Sequence, residues 1–257
     1  MNLINRLRYL VTLILLLVMV SIPVWAIDGN EVLSKVDAVV SASEDSISNA
    51  TMTLIDDDGN EKARNMKIST KHFKDRDNWS LLKFTSPAEL RDLGFLSLSD
   101  EKMYLYMPAF DRVRRIASHA RKESFAGSDL SNDDLSTGKY ADHYTAEIKE
   151  ETETEYVLAL NRREGSDRIY PRITAWVDKR GFYASKMDLF DDSGKLWKTN
   201  VMENEKIQGY WTPKKIVMTD VRKKHKTVME ITKIEYDAGL KDKIFTERYL
   251  KRKVRGR

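Results

Sequence analysis

No cysteine occurs anywhere in the 257 residues. That excludes disulfides, thiolate metal ligands and an acylated N-terminal cysteine, so a chain facing an oxidising compartment must be held by its core alone. Histidine is scarce as well. His72, His119, His143 and His225 stand far apart in polar contexts and read as solvent-facing side chains. None has a second histidine or a carboxylate at metal-ligand spacing. No glycine-rich phosphate loop follows a strand and opens a helix. Gly127-Ser128-Asp129 lacks the strand–elbow–helix context of a nucleophile motif. The aspartates of "DDDGN" and "DDSG" have the wrong spacing for calcium and read as hairpin turns. The expectation is no catalytic residue, no metal and no cofactor.

At the N-terminus, Arg6 and Arg8 precede an apolar run from about Tyr9 to Val20, which closes on the small-x-small site Val24-Trp25-Ala26. This reads as a signal peptide over 1–26, leaving an exported, soluble, non-lipidated chain from Ile27 to Arg257. Neither sign of charge dominates it. Without the two leader arginines, 42 basic side chains face 40 acidic ones. Much of the base sits in the tail 248–257, "RYLKRKVRGR", and the body before it is slightly acidic. A nucleic-acid surface is therefore not expected. The tail reads as a frayed, solvated terminus; the alternative is peripheral contact with an anionic membrane.

What is present is strand after strand. Asp28-Gly29-Asn30-Glu31 has the spacing of a helix capping box, and Val32, Leu33, Val36, Val39 and Val40 follow as one apolar stripe. The period then falls to about two. About eleven short strands with turn residues between them describe one mainly β, antiparallel domain. No low-complexity linker divides it. Ser128 is expected to cap a short helix through Leu135, and "GLKDKIFTERYL" to hold another helical turn. The apolar supply exceeds one face. "MYLYM" at 103–107 is apolar on both sides, as are the strands holding Trp79, Leu81, Leu82 and Phe84 and holding Tyr156–Leu160. With methionines to line it, a curved sheet of this kind leaves room for an irregular apolar guest.

The ordered set "LYMPAFDRVRRIASHARKESFAGSDLSNDDL", "RITAWVDKRGFYASKMDLFDDSGKLWKT", "IQGYWTPKKIVMTD" and "DKIFTERYL" resembles the outer-membrane lipoprotein-sorting protein family (LolA-like), in the branch associated with RND/MMPL-type exporters. The resemblance implies a periplasmic protein folded as a half-open antiparallel β-barrel with an N-terminal helix and short lid helices. Its hydrophobic cavity is expected to hold acyl chains of a lipoprotein or lipid, with an inner-membrane RND/MMPL-type transporter as a partner. The expected lining comprises Met52, Leu54, Met66, Trp79, Leu81, Phe84, Leu96, Met103, Leu105, Met107, Trp176, Met187 and Met218. Arg112, Arg114 and Arg115 are placed at the rim, facing Asp129, Asp133 or Asp134 or a lipid head group, and Phe125 is the expected lid plug. Two other readings remain open: an exporter accessory subunit that carries nothing, and a lipid-processing enzyme. An integral outer-membrane barrel is not expected, because the strands lack a sustained lipid-facing alternation.

Overall fold

The computed structural model describes residues 27–254; the expected signal peptide, 1–26, and residues 255–257 lie outside the described residues. Asp28 accepts a hydrogen bond from the Glu31 amide (2.8 Å) and starts helix α1 (Gly29–Val40). Val32, Leu33 and Val36 are buried, but Val40, expected to extend the stripe, is 62% exposed where the helix ends. Asp37 turns inward instead and accepts the amides of Tyr140 (3.0 Å) and Ala141 (2.8 Å).

The strands are β1 (Asp45–Ile55), β2 (Glu61–Lys71), β3 (Trp79–Ser86), β4 (Gly94–Ser99), β5 (Lys102–Met107), β6 (Arg112–Arg115), β7 (Tyr144–Glu151), β8 (Glu155–Arg162), β9 (Arg172–Asp178), β10 (Ala184–Phe190), β11 (Leu196–Ile207), β12 (Tyr210–Asp220) and β13 (His225–Tyr236). That is thirteen rather than about eleven. Among those the sequence reading lacks is β6, whose "RVRR" shows no apolar alternation. All pair antiparallel in one sheet, ordered β6-β5-β4-β3-β2-β1-β13-β12-β11-β10-β9-β8-β7. The chain thus runs outward along one half, crosses at the β6–β7 connection, and returns from the far edge. The end strands β6 and β7 do not pair, so the sheet is not closed. At the first hairpin, Gly59 adopts φ +82° and its amide meets the Asp56 carbonyl (3.1 Å), as the Asp-Gly signal requires.

Two small helices complete the fold: α2 (Tyr140–His143), at the end of the long connection, and α3 (Glu247–Leu250), the helical turn expected near the C-terminus. The helix expected from Ser128 to Leu135 is absent. Only a single 3₁₀ turn, Asp133–Leu135, forms there. The Ser128 hydroxyl bonds back to the Phe125 carbonyl (2.7 Å), a local turn that competes with helix initiation.

Two apolar cores lie on opposite faces of the sheet. The larger joins Val32, Leu33 and Val36 of α1 to side chains from both halves, including Met52, Phe84, Met103, Leu158 and Met218. Strands near opposite ends of the order can share one cluster only if the sheet wraps around it. The smaller unites Leu81, Leu96 and Tyr106 with Phe245 and Leu250 of the C-terminal segment. That segment is not frayed through 254. Lys83 donates to the Leu250 carbonyl (2.9 Å), the Val254 amide donates to Asp92 (2.5 Å), and Leu250 is fully buried.

Candidate functional site

Register assigns every expected lining residue to a face. Directly opposed residues of an antiparallel pair project to the same side, and Met66 opposes Phe84, Thr227 opposes both Leu54 and Met218, and Asn200 opposes Met218 and Met187. Met52, Leu54, Met66, Phe84, Met103, Met187 and Met218 therefore belong to the larger core, with Leu105 packed against it. Met107 follows Met103 and Leu105 at the same alternation and is half-buried. The partly buried Met202 and Met229 join the same cluster. Thioether side chains have several rotatable bonds and adapt to irregular partners, so this inner face can repack around a guest.

Four expected lining residues are on the wrong side. Leu81 and Leu96 are paired across β3 and β4 and belong to the outer cluster, with Trp79 packed against it. Trp176 alternates with the inward Ala175 and Val177, and its outer ring carries the Lys186 ammonium 4.1 Å from its centroid. These strands are apolar on both faces because the outer one has its own cover. "MYLYM" is resolved in the same way: Met103 and Leu105 face the inner core, while Tyr104 and Tyr106 pack under the C-terminal segment.

The inner core is roofed by α1 and by the connection from Ile116 to Lys139. Gly29 allows close seating of α1 on β7, since a Cβ there would lie 2.5 Å from the Ala146 carbonyl oxygen. Phe125 is buried, with ring centroids 5.7 Å from Phe84 and 5.6 Å from Phe95. Around it the lid is pinned at several points. Arg64 donates to the Ala126 carbonyl, and Asp129 accepts from Thr227 (2.7 Å) and contacts His225 (2.7 Å). Ala126 and Gly127 are both left-handed, at φ +50° and +74°, so the chain reverses sharply just after Phe125.

The expected rim contacts do not form. Arg112 and Arg114 share the inner-face register while Arg115 points outward, yet none meets Asp129, Asp133 or Asp134. Arg114 pairs loosely with Glu123 (3.6 Å), and Arg115 donates to the Glu101 carbonyl (2.9 Å). Two arginines that the sequence reading missed take the aspartates. Arg121 meets Asp133 (2.5 Å) and Asp100 (3.5 Å), and Arg168 meets Asp100 (3.2 Å), all nearly excluded from solvent. Asp134 accepts from Ser131 (2.7 Å) and Tyr170 (3.0 Å) and pairs with Lys198 (3.3 Å). Apart from Ser131, three residues from Asp134, these partners are distant in the chain and carry no local signal in sequence.

Three histidines expected to face solvent are instead engaged. His143 reaches Asp100 (2.7 Å) and Ser166 (3.1 Å), His225 reaches Asp129, and His72 contacts Ser43 (3.0 Å). Burial resists ionisation of Asp100, but the His143 hydrogen bond, the Arg168 charge and the Ser136 hydroxyl outweigh it and hold the carboxyl well below its usual range. Burial lifts the Tyr140 hydroxyl to about 12. A cleft of about 560 Å³ opens beside this network, lined by Asp100, His143, Arg163 and Ser166 among others. A second, of about 480 Å³, is lined by Arg76, Trp79 and Lys102 among others. Among the described clefts none opens onto the inner methionine face, whose side chains belong to the larger core. No group of metal-ligating side chains occurs among the described residues.

An unclosed antiparallel sheet wrapped around a helix and a pinned lid is the LolA-like architecture, and solved structures share it. A putative outer membrane lipoprotein-sorting protein domain from Vibrio parahaemolyticus aligns with TM-score 0.79 and 23% identity, over 87% of this chain and 98% of that one. A LolA superfamily protein from Nitrosomonas europaea aligns with TM-score 0.72 and 22% identity, over 87% and 100%. Nearer in sequence, a DUF1329 family protein from Desulfovibrio piger is 30% identical with TM-score 0.81, over 86% of this chain and 97% of that one. A family model described as "Uncharacterized protein" matches residues 76–252. The chain belongs to the DUF1329 family, with a LolA-like fold. No curated protein matches it.

Proposed function

We propose that the protein is a periplasmic carrier that takes acyl chains of a lipid or lipoprotein onto the methionine-rich inner face of its sheet, without catalysis. The observation that carries this reading is the inner face itself. It is a continuous apolar surface from both halves of an unclosed sheet, roofed by one helix and a lid rather than by a second sheet. The sorting-protein description of the Vibrio parahaemolyticus domain supports the same direction. Loading requires the lid to leave. Phe125 withdraws from Phe84 and Phe95, and hydrocarbon takes its place. Each buried methylene contributes about 0.8 kcal/mol, so one long chain offsets the lost ring contacts. Among the described residues no helix is long and apolar enough to cross a membrane. Export rests on the leader at 1–26.

Titration with a fluorescent fatty acid tests this reading. Saturable binding is expected, with Phe125→Ala releasing the probe at a changed rate. Leu81→Ala, on the outer face, should leave probe affinity unchanged. No saturable binding, or equal sensitivity to both substitutions, contradicts it. The alternative, an accessory subunit of an RND-type exporter that carries nothing, predicts no probe binding at all.

A further inference from the structure

The β5–β6 hairpin ends in a 3₁₀ turn, Pro108–Phe110, and Phe110 at its tip is 75% exposed, the most exposed large apolar side chain among the described residues. Nothing in the core needs it there. Arg112, Arg114 and Arg115 follow, all exposed, on a strand whose outer edge is unpaired. The C-terminal segment packs against this same hairpin: Lys251 lies 3.1 Å from Asp111, and Val113 joins the cluster around Leu250. A shallow recess of about 400 Å³ beside it is lined by Lys243, Thr246, Arg248, Tyr249 and Arg252.

Arg112 and Arg114 project to the inner side of the edge strand and Arg115 to the outer side with the C-terminal segment, and charge is divided unevenly between this edge and the rest. Residues 27–254 hold forty basic and forty acidic side chains, since two arginines lie in 1–26 and two in 255–257. Residues 108–115 and 241–254 together hold nine basic and three acidic ones, which leaves 31 basic against 37 acidic elsewhere. The contacts of Arg114 with Glu123 and of Lys251 with Asp111 are solvent-exposed pairs and hold their charges only weakly. A cationic sheet edge on an otherwise acidic body, with one aromatic ring projecting from it, complements an anionic bilayer. The ring enters the headgroup boundary while the arginines stay at phosphate level.

We propose that the β5–β6 hairpin and the docked C-terminal segment form one sheet edge that binds anionic phospholipid bilayers, with Phe110 inserted. This does not rest on the carrier reading, because a protein that holds no acyl chain docks in the same way. The test is co-sedimentation of the protein, purified after expression of the full chain, with two kinds of vesicle. One is pure phosphatidylcholine and the other contains about a third phosphatidylglycerol. Binding is expected to the anionic vesicles alone and to fall with added salt. Replacing Arg112 and Arg115 by Gln should weaken it by at least tenfold, at about fivefold per charge. Because the chain has no cysteine, Phe110→Cys gives one thiol for an environment-sensitive fluorophore, whose emission should shift to the blue on anionic vesicles only. Equal binding to both vesicles, undiminished binding by the arginine variants, or an unshifted fluorophore overturns the proposal. Binding to neither also overturns it, and assigns the patch to an acidic protein partner.

Discussion

Asp100 shows how single residues hold the lid. Its carboxylate lies at the β4–β5 turn, while its partners Arg121, His143 and Arg168 come from the connection, from α2 and from the β8–β9 loop. Charges taken out of water lose hydration, so such a cluster adds stability only while every member is paired. Arg168→Met removes one of these three partners of Asp100 and a donor to the Gly138 carbonyl; a loss of about 3–5 kcal/mol in urea unfolding is expected. The folded-state value of Asp100 lies below its ordinary 3.8. Its contribution is therefore complete above the unfolded value and lost as pH falls toward the folded one. Unfolding midpoints should drop on acidification below about pH 4, and Asp100→Asn should flatten that decline while lowering stability at neutral pH. An Asp100→Asn protein that keeps the parent's acid limb would show that other carboxylates dominate it.

At the scale of elements, two close approaches decide the architecture. α1 sits on β7 through Gly29, where an added Cβ would meet backbone atoms at 2.5–2.8 Å that cannot rotate away. Gly29→Ala should cost about 1–3 kcal/mol by overpacking, read as a lowered melting temperature. On the other face, Leu250 is fully buried against Gly94. Leu250→Ala should cost about 2–5 kcal/mol and expose Trp79 and Tyr106 to fluorescence quenchers; a near-neutral result would mean the C-terminal segment is not held as described. These elements also show what was legible in the sequence. The helix start at Asp28, the Asp-Gly hairpin and the strand alternation were readable because each is set by neighbours a few residues apart. The inside of strands such as "WSLLKFT" was not, because period two distinguishes faces without saying which is inner, and the outer cover arrives from more than 150 residues away. That is why Trp79, Leu81 and Leu96 were placed in the lining. Arg121 and Arg168 are hidden because their carboxylate partners lie on other segments of the chain, while the conspicuous "RVRR" draws the rim assignment although it lies at an edge.

For the whole molecule, the inner core and the proposed guest site are one surface of the unclosed sheet. In the proposed carrier, the methionine face that stabilises the fold is also the face offered to an acyl chain, so binding would be a competition between Phe125 and hydrocarbon for Phe84 and Phe95. Moderate affinity follows, which suits a carrier that must also release. The cationic hairpin edge lies on the same half of the sheet as Phe84 and Phe95, so the proposed docking on a bilayer would set that half against the proposed lipid source. The most direct measurement is the intact mass of the protein purified under non-denaturing conditions from the periplasm of expressing cells. The account predicts an added mass of one or a few acyl lipids in near-stoichiometric amount, released on denaturation and identified by extraction. A bare polypeptide mass, unchanged after incubation with lipid, would contradict it.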